Sequence, residues 1–263
     1  SNSQEEPIMN DLVFMTFNIR QGFGLDGKNN FGRIKNIIQE SQAKVIGFQQ
    51  ADTSRITSSN TDLFEYLSHY LNLNEFYGPS PREMTTGVGI LSAYPFQQTN
   101  YDLLPSESGA RGAYAHAYIC VDSEQDKYIH FLSVHFGAYK TNITLQASSI
   151  SNVITNLRRA QSFLDYSGVF LVGDLNTSLN SSAYKHLIET TGMQNAIMQV
   201  RPADIHVDIF KITTYILYSI PPKQELKAFK LHKEHYHEVT FCNATVLDTN
   251  GISTSYPVQA VFK

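Results

Sequence analysis

VFLVGDLNTS, residues 169–178, passes directly from an unbroken apolar run into a cluster of polar side chains. Val169–Val172 reads as a strand, and Asp174 and Asn176 fall just beyond its end. In α/β proteins the ends of strands are where functional side chains gather. A lone Asp-x-Asn starts a turn as often as it marks a site. The same arrangement recurs along the chain, however. Asn18 follows LVFMTF (12–17), Gln49 and Gln50 follow VIGF (45–48), and His135 lies within FLSVHF (131–136). For any one of these the plain reading is a polar residue opening the next loop; as a series they point to one site.

Working outward, Leu12–Ile19, Val45–Phe48, Val88–Leu91, Ala113–Val121 and Tyr128–Phe136 read as strands, as do Thr213–Ile220, Val239–Leu247 and Tyr256–Phe262. Phe31, Ile34, Ile37 and Ile38 recur at helical spacing, which predicts an amphipathic helix over 31–43. Asp62 followed by Glu65 signals a helix start, with Leu63, Leu67, Tyr70 and Leu71 on one face. Ile150, Val153, Ile154, Leu157 and Leu164 mark a long helix, and Ser181–Thr190 a shorter one. Many strands with a few crossover helices give an α/β protein. Apolar strands in this number need cover on both faces, which two stacked sheets with helices outside supply. One domain is expected over 12–263, preceded by a polar leader at 1–11.

The composition bounds the function. The chain has 263 residues, 42% hydrophobic and 17% charged, enough to bury a core. Its net charge is −4, without the basic excess of a general nucleic-acid binder, so long nucleic acids are disfavoured as partners. No apolar stretch reaches the roughly 18–20 residues of a membrane-spanning helix. Two cysteines, Cys120 and Cys242, cannot build a zinc site or a disulfide framework by themselves.

Seven strings in order resemble the endonuclease/exonuclease/phosphatase superfamily, the DNase I-like fold: MTFNIRQG, VIGFQQAD, GVGILSAYP, FLSVHFG, VFLVGDLNTS with SAYKHLIETTG, TTYILYS, and VLDTNGISTSYPVQAVF. They span about residues 12–262. NIRQGFGLDG and the QQADTSR region are most similar to the Cwh43-type C-terminal domains of that superfamily. The resemblance implies a four-layer α/β/β/α sandwich and a phosphoester-hydrolysing ancestry with a divalent metal, usually Mg²⁺. Such an ion prefers oxygen ligands and offsets charge on the phosphate, while a carboxylate orients or deprotonates the attacking water. Carried over, Asn18 matches the metal-proximal, phosphate-side Asn, and His135 the His ending a central strand. Asp174 matches the Asp that handles water, and Asn176 its phosphate-orienting partner. Arg111, in GARGAYAHA, matches an Arg found before that strand.

Four other family positions are replaced. Gln50 stands where the metal-holding Glu is expected, and Thr214 and Thr254 stand where Asp is expected. Ser255 stands in place of the catalytic His. Losing three carboxylates near one cation removes most of its anionic shell, so Mg²⁺ binding should be weak. Losing a group of this kind typically costs about 10²–10⁴-fold in rate, and joint losses are not additive. The expectation is a catalytically silent or very weak relative that keeps a cleft for a phosphate-containing small molecule, a lipid headgroup or a glycan, and acts as a monomer. The alternative is an active Mg²⁺- or Mn²⁺-dependent phosphodiesterase or phosphatase whose metal shell is rearranged, with Asp52 or Asp208 supplying a substitute carboxylate. The Cwh43-type likeness further implies a secreted, lumenal or surface location. His232, His235 and His237 in KLHKEHYHE read as a solvated strand or hairpin rather than a metal site, and His206 with Asp208 as part of an ordinary strand.

Overall fold

A computed structural model describes residues 11–24, 27–51, 62–79, 87–107, 111–124, 127–137, 140–160, 167–200, 212–220, 241–247 and 257–263. Twelve strands and four α-helices run through them in the order β1 (Leu12–Asn18), α1 (Phe31–Ser41), β2 (Val45–Gln49), α2 (Leu63–Leu71), β3 (Asn74–Gly78), β4 (Val88–Ser92), β5 (Phe96–Leu103) and β6 (Ala113–Asp122). They continue with β7 (Lys127–His135), α3 (Lys140–Ala160), β8 (Gly168–Asp174), α4 (Ser182–Thr191), β9 (Gln194–Asn195), β10 (Thr214–Ser219), β11 (Phe241–Val246) and β12 (Val258–Phe262). Short 3-10 turns occupy Arg20–Gly22 and Ala196–Gln199.

The strands form two six-stranded sheets, ordered β11-β12-β1-β2-β4-β3 and β5-β6-β7-β8-β10-β9. Each is antiparallel except for one parallel pair, β1 with β2 and β7 with β8. Those two pairs are the ones joined through a helix, α1 and α3, as a parallel neighbour requires.

Side-chain alternation decides what each face touches. Leu12 and Phe14 of β1, Val45 of β2, Val88 and Ile90 of β4, Ile129 and Phe131 of β7, and Phe170 and Val172 of β8 meet in one core between the sheets. Phe14 packs edge-on against Phe170 and Phe131, with ring centroids 4.6 and 5.6 Å away. The intervening residues face outward. Met15, Phe17, Ile46 and Phe48 pack with Ile34 and Ile38 of α1 and Leu63 and Leu67 of α2. Leu132, Val134, Val169 and Leu171 pack with Ile150 and Ile154 of α3 and Leu187 of α4. The layers are therefore helix, sheet, sheet, helix, as the sequence implied.

Gly47 sets the closeness of the sheets. A Cβ there would lie 2.3 Å from Val172 and 3.1 Å from Ser133 Cβ on the opposite sheet. The helices are capped as the sequence signals predict: Asp62 accepts hydrogen bonds from the Phe64 and Glu65 amides, and Ser181 from the Tyr184 amide. The strands β3 and β5 carried no sequence signal. Both are sheet edges whose residues are mostly exposed or half-exposed, so neither has a buried stripe to reveal it. Neither cysteine is in a disulfide; Cys120 is buried and Cys242 exposed. Among the described residues no helix is long and apolar enough to cross a membrane.

Candidate functional site

Following the inward-facing positions along each central strand, the character changes from apolar to polar at one end of the sandwich. In β1 the order is Leu12, Phe14, Thr16, Asn18; in β2 it is Val45, Gly47, Gln49. In β7 it is Ile129, Phe131, Ser133, His135, and in β8 Phe170, Val172, Asp174. Antiparallel β10 brings Thr214 to the same end. Register aligns them: Asn18 pairs with Gln49, and Asp174 with both His135 and Thr214. Asn18, Asp174, His135 and Thr214 are all nearly or wholly enclosed, from 1% to 8% exposed.

Asp174 is the centre of the set. Asn18 Nδ2 donates to its Oδ2 across the two sheets at 3.0 Å, and the Asn176 amide N–H donates to its Oδ1 at 3.0 Å. Two neutral donors thus engage both carboxylate oxygens. Asn18 Oδ1 in turn accepts from the Arg20 amide at 3.2 Å, so the side chain is held at both ends. Asn176 takes a left-handed backbone, φ +47°, which Asn tolerates better than most residues. Its amide Nδ2 donates to the Phe136 carbonyl and lies 3.3 Å from His135 Nε2. Burial lowers the His135 pKa, opposed by the Asp174 carboxylate, which raises it. The ring is therefore neutral near pH 7.

Gln50 is half-buried at φ +51°, and its carbonyl oxygen accepts from the Gln21 amide at 2.8 Å. Arg111 is exposed and stands two residues before Ala113, whose register partner is His135. It lies at the same end of the sheet as the polar cluster. The Thr214 hydroxyl is buried and has no hydrogen-bond partner among the described residues. Thr254 and Ser255 lie outside the described residues, as do Asp52, His206, Asp208, His232, His235 and His237. Of the residues singled out from sequence, the structure thus brings Asn18, His135, Asp174, Asn176 and Thr214 together. Among the described residues, no group of three or more His, Cys, Asp and Glu side chains is placed to hold a metal ion.

Sequence reasoning singled out Gln49 but missed Thr16 and Ser133, with which it builds a polar floor beneath this cluster. Thr16 Oγ1 donates to Gln49 Oε1 at 3.2 Å, and Gln49 Nε2 donates to Ser133 Oγ at 3.3 Å. Ser133 Oγ then donates to the Phe48 carbonyl at 3.0 Å. All three side chains are fully buried. The chain of bonds ties β1, β2 and β7 across the sheet interface, one step inward from Asn18 and His135. Only the side-chain alternation, applied to two sheets at once, could have revealed it. Helix α3 braces the loops on the second sheet. Gln146 accepts from the Gly137 amide at 2.8 Å and donates to the Pro105 carbonyl at 3.1 Å. Asn142 accepts from the Glu107 amide and donates to Ser106 Oγ, both at 2.9 Å.

Two six-stranded sheets, an outer pair of helices on each, and this set of polar strand ends define an endonuclease/exonuclease/phosphatase fold of the DNase I-like kind. Solved structures agree. The human Nocturnin catalytic domain with bound sulfate superposes with a TM-score of 0.70 at 15% identity, covering 96% of this chain and 94% of that one. A mannosyl-6-phosphatase of Bacteroides thetaiotaomicron gives 0.69 at 11% identity, with 96% and 99% covered. An endonuclease/exonuclease/phosphatase from Bacteroides vulgatus gives 0.68 at 14% identity, with 97% and 99% covered. At such identities the likeness establishes the fold alone.

Within that class, residues 10–219 match the family described as PGAP2IP, C-terminal nuclease-like domain, and the chain belongs to this family. Protein cwh43 of Schizosaccharomyces pombe (strain 972 / ATCC 24843) is 28% identical over 189 residues, which cover 69% of this chain and 18% of that protein. The chain thus spans less than a fifth of the curated relative it matches.

Proposed function

We propose that this chain is a catalytically silent or very weak phosphoesterase relative, which keeps the cleft of its fold for binding a phosphate-containing small molecule, a lipid headgroup or a glycan. One observation carries the reading. Among the described inward-facing strand ends, Asp174 is the single carboxylate, and neutral amides engage both of its oxygens. Gln50, Thr214, Thr254 and Ser255 stand where an active relative is expected to have charged or ionisable groups. Mg²⁺ takes oxygen ligands in strict octahedral geometry and is drawn chiefly by carboxylates. A donor set of one carboxylate, with amide and hydroxyl oxygens for the rest, fits it poorly. A neutral His135 and the Asn18 and Asn176 amides keep these strand ends polar without adding charge. The net charge of −4 disfavours a long nucleic acid, and a monomer suffices for the reading.

A second reading is favoured by the retained group itself. Asn18, His135, Asp174 and Asn176 are held together, and an active Mg²⁺- or Mn²⁺-dependent phosphodiesterase or phosphatase would use all four. Calorimetric titration with Mg²⁺ and Mn²⁺, with turnover assays on p-nitrophenyl phosphate and bis(p-nitrophenyl) phosphate, separates the two. The silent reading expects no saturable metal binding at micromolar concentrations and no turnover above that of Asp174→Ala. Metal-dependent turnover that disappears in Asp174→Ala would establish the second.

A further inference from the structure

Which nitrogen of an imidazole carries the proton is set by the partner each nitrogen meets. We propose that Asn176 is a positioning residue that fixes the His135 ring as the Nδ1–H tautomer, with Nε2 held as a hydrogen-bond acceptor. The inference does not depend on whether the cleft is catalytic.

An Asn side chain has an oxygen that only accepts and a nitrogen that only donates. At Asn176 the atom facing the Phe136 carbonyl must be the nitrogen, because two carbonyl oxygens at that separation would repel. The orientation of the whole amide follows. The backbone fixes it further, since the Asn176 N–H is committed to Asp174 Oδ1 at 3.0 Å. The Nδ2 group has two hydrogens. One goes to the Phe136 carbonyl, and the other points toward His135 Nε2, 3.3 Å away. Nε2 must therefore present its lone pair. A proton on Nε2 would confront an N–H with an N–H at hydrogen-bond distance, in a place where His135 is only 8% exposed.

A neutral ring with Nε2 as acceptor carries its single proton on Nδ1. Burial, which disfavours imidazolium, supports a neutral ring. The consequence is chemical. His135 has no proton to deliver from Nε2, and any ligand group that approaches that nitrogen competes with the Asn176 amide.

Long-range ¹H–¹⁵N correlation spectra of the folded chain, labelled at histidine and recorded at neutral pH, read the tautomer directly. His135→Gln identifies the signals by their loss. The expected wild-type pattern is a protonated, pyrrole-type Nδ1 and an unprotonated, pyridine-type Nε2. Asn176→Asp exchanges the donor for an acceptor of the same shape and should move the proton to Nε2. Asn176→Ala removes the donor and should give averaged nitrogen shifts. If the Asp variant does not fold, the Ala variant carries the same decision. A protonated Nε2 in the wild type would overturn the proposal. So would an unchanged Nδ1–H pattern in a folded Asn176→Asp or Asn176→Ala protein.

Discussion

Gly173 has to be glycine for a reason that can be stated in one distance. Its φ is +150°, and a Cβ there would sit 1.9 Å from the Val134 carbonyl oxygen of the neighbouring strand. The residue allows β8 to lie against β7 as it brings Asp174 to Asn18. Gly173→Ala should destabilise the chain by about 2–4 kcal/mol, combining backbone strain with overpacking; urea unfolding measures it. On the proposed reading, Gln50 is the opposite case, a position where the side chain decides chemistry rather than shape, and Gln50→Glu returns one carboxylate of three. We expect it to leave phosphoester turnover within tenfold of the parent, and a large recovery would mean that Thr214, Thr254 and Ser255 matter little. At this scale much of the site was legible. Asn18, His135, Asp174 and Asn176 interrupt or follow apolar runs and so stand out in the sequence. Thr16 and Ser133 did not, because a buried hydroxyl inside a strand looks like any other small strand residue until its partner on the facing sheet is known.

Among the elements, signals were clear where a face is buried and silent where none is. α1 and α2 show helical spacing because one side packs on the first sheet, and Asp62 announces α2 through its cap. Asp62→Ala removes acceptors for two backbone amides and should cost about 1 kcal/mol, visible as a lower midpoint in chemical unfolding. β5, with FQQTNYDL exposed along most of its length, has no alternation to read. The bridge between sheets is an element-level feature as well. Gln49→Leu keeps the volume but leaves the Thr16 hydroxyl without its acceptor, while Ser133 still donates to the Phe48 carbonyl. A loss of about 1–3 kcal/mol follows from leaving a buried polar group unpaired, and Thr16→Val in the same background should recover part of it.

For the molecule as a whole, acid sensitivity is expected from a pair of histidines away from the polar cluster. On the face of the second sheet turned from the first, His116 Nε2 and His130 Nδ1 are hydrogen-bonded at 2.8 Å, and the rings stack with centroids 5.1 Å apart. Tyr118 stacks on His130 at 4.7 Å. Burial lowers the pKa of His116 to about 4, and burial with the neighbouring His116 lowers that of His130 to about 3. Both are neutral when folded, whereas in the unfolded chain they titrate near about 6.5. Their contribution is thus fully present above about pH 6.5 and declines as pH falls toward 4 and then 3, because the unfolded chain binds protons that the folded one refuses. Each histidine adds a slope approaching about 1.4 kcal/mol per pH unit. Stability measured from pH 7.5 to 4.5 should fall more steeply in the parent than in a folded His116→Gln/His130→Leu variant, and equal slopes would remove the pair as the cause.

The brace on helix α3 reaches beyond stability. Asn142, Ile143 and Thr144 have the form of an acceptor for N-linked sugar, yet the Asn142 amide is wholly enclosed between Ser106 and Glu107. An oligosaccharide on that nitrogen and a closed sandwich exclude one another. In any compartment that glycosylates nascent chains, a molecule modified at Asn142 before α3 docks is lost to folding.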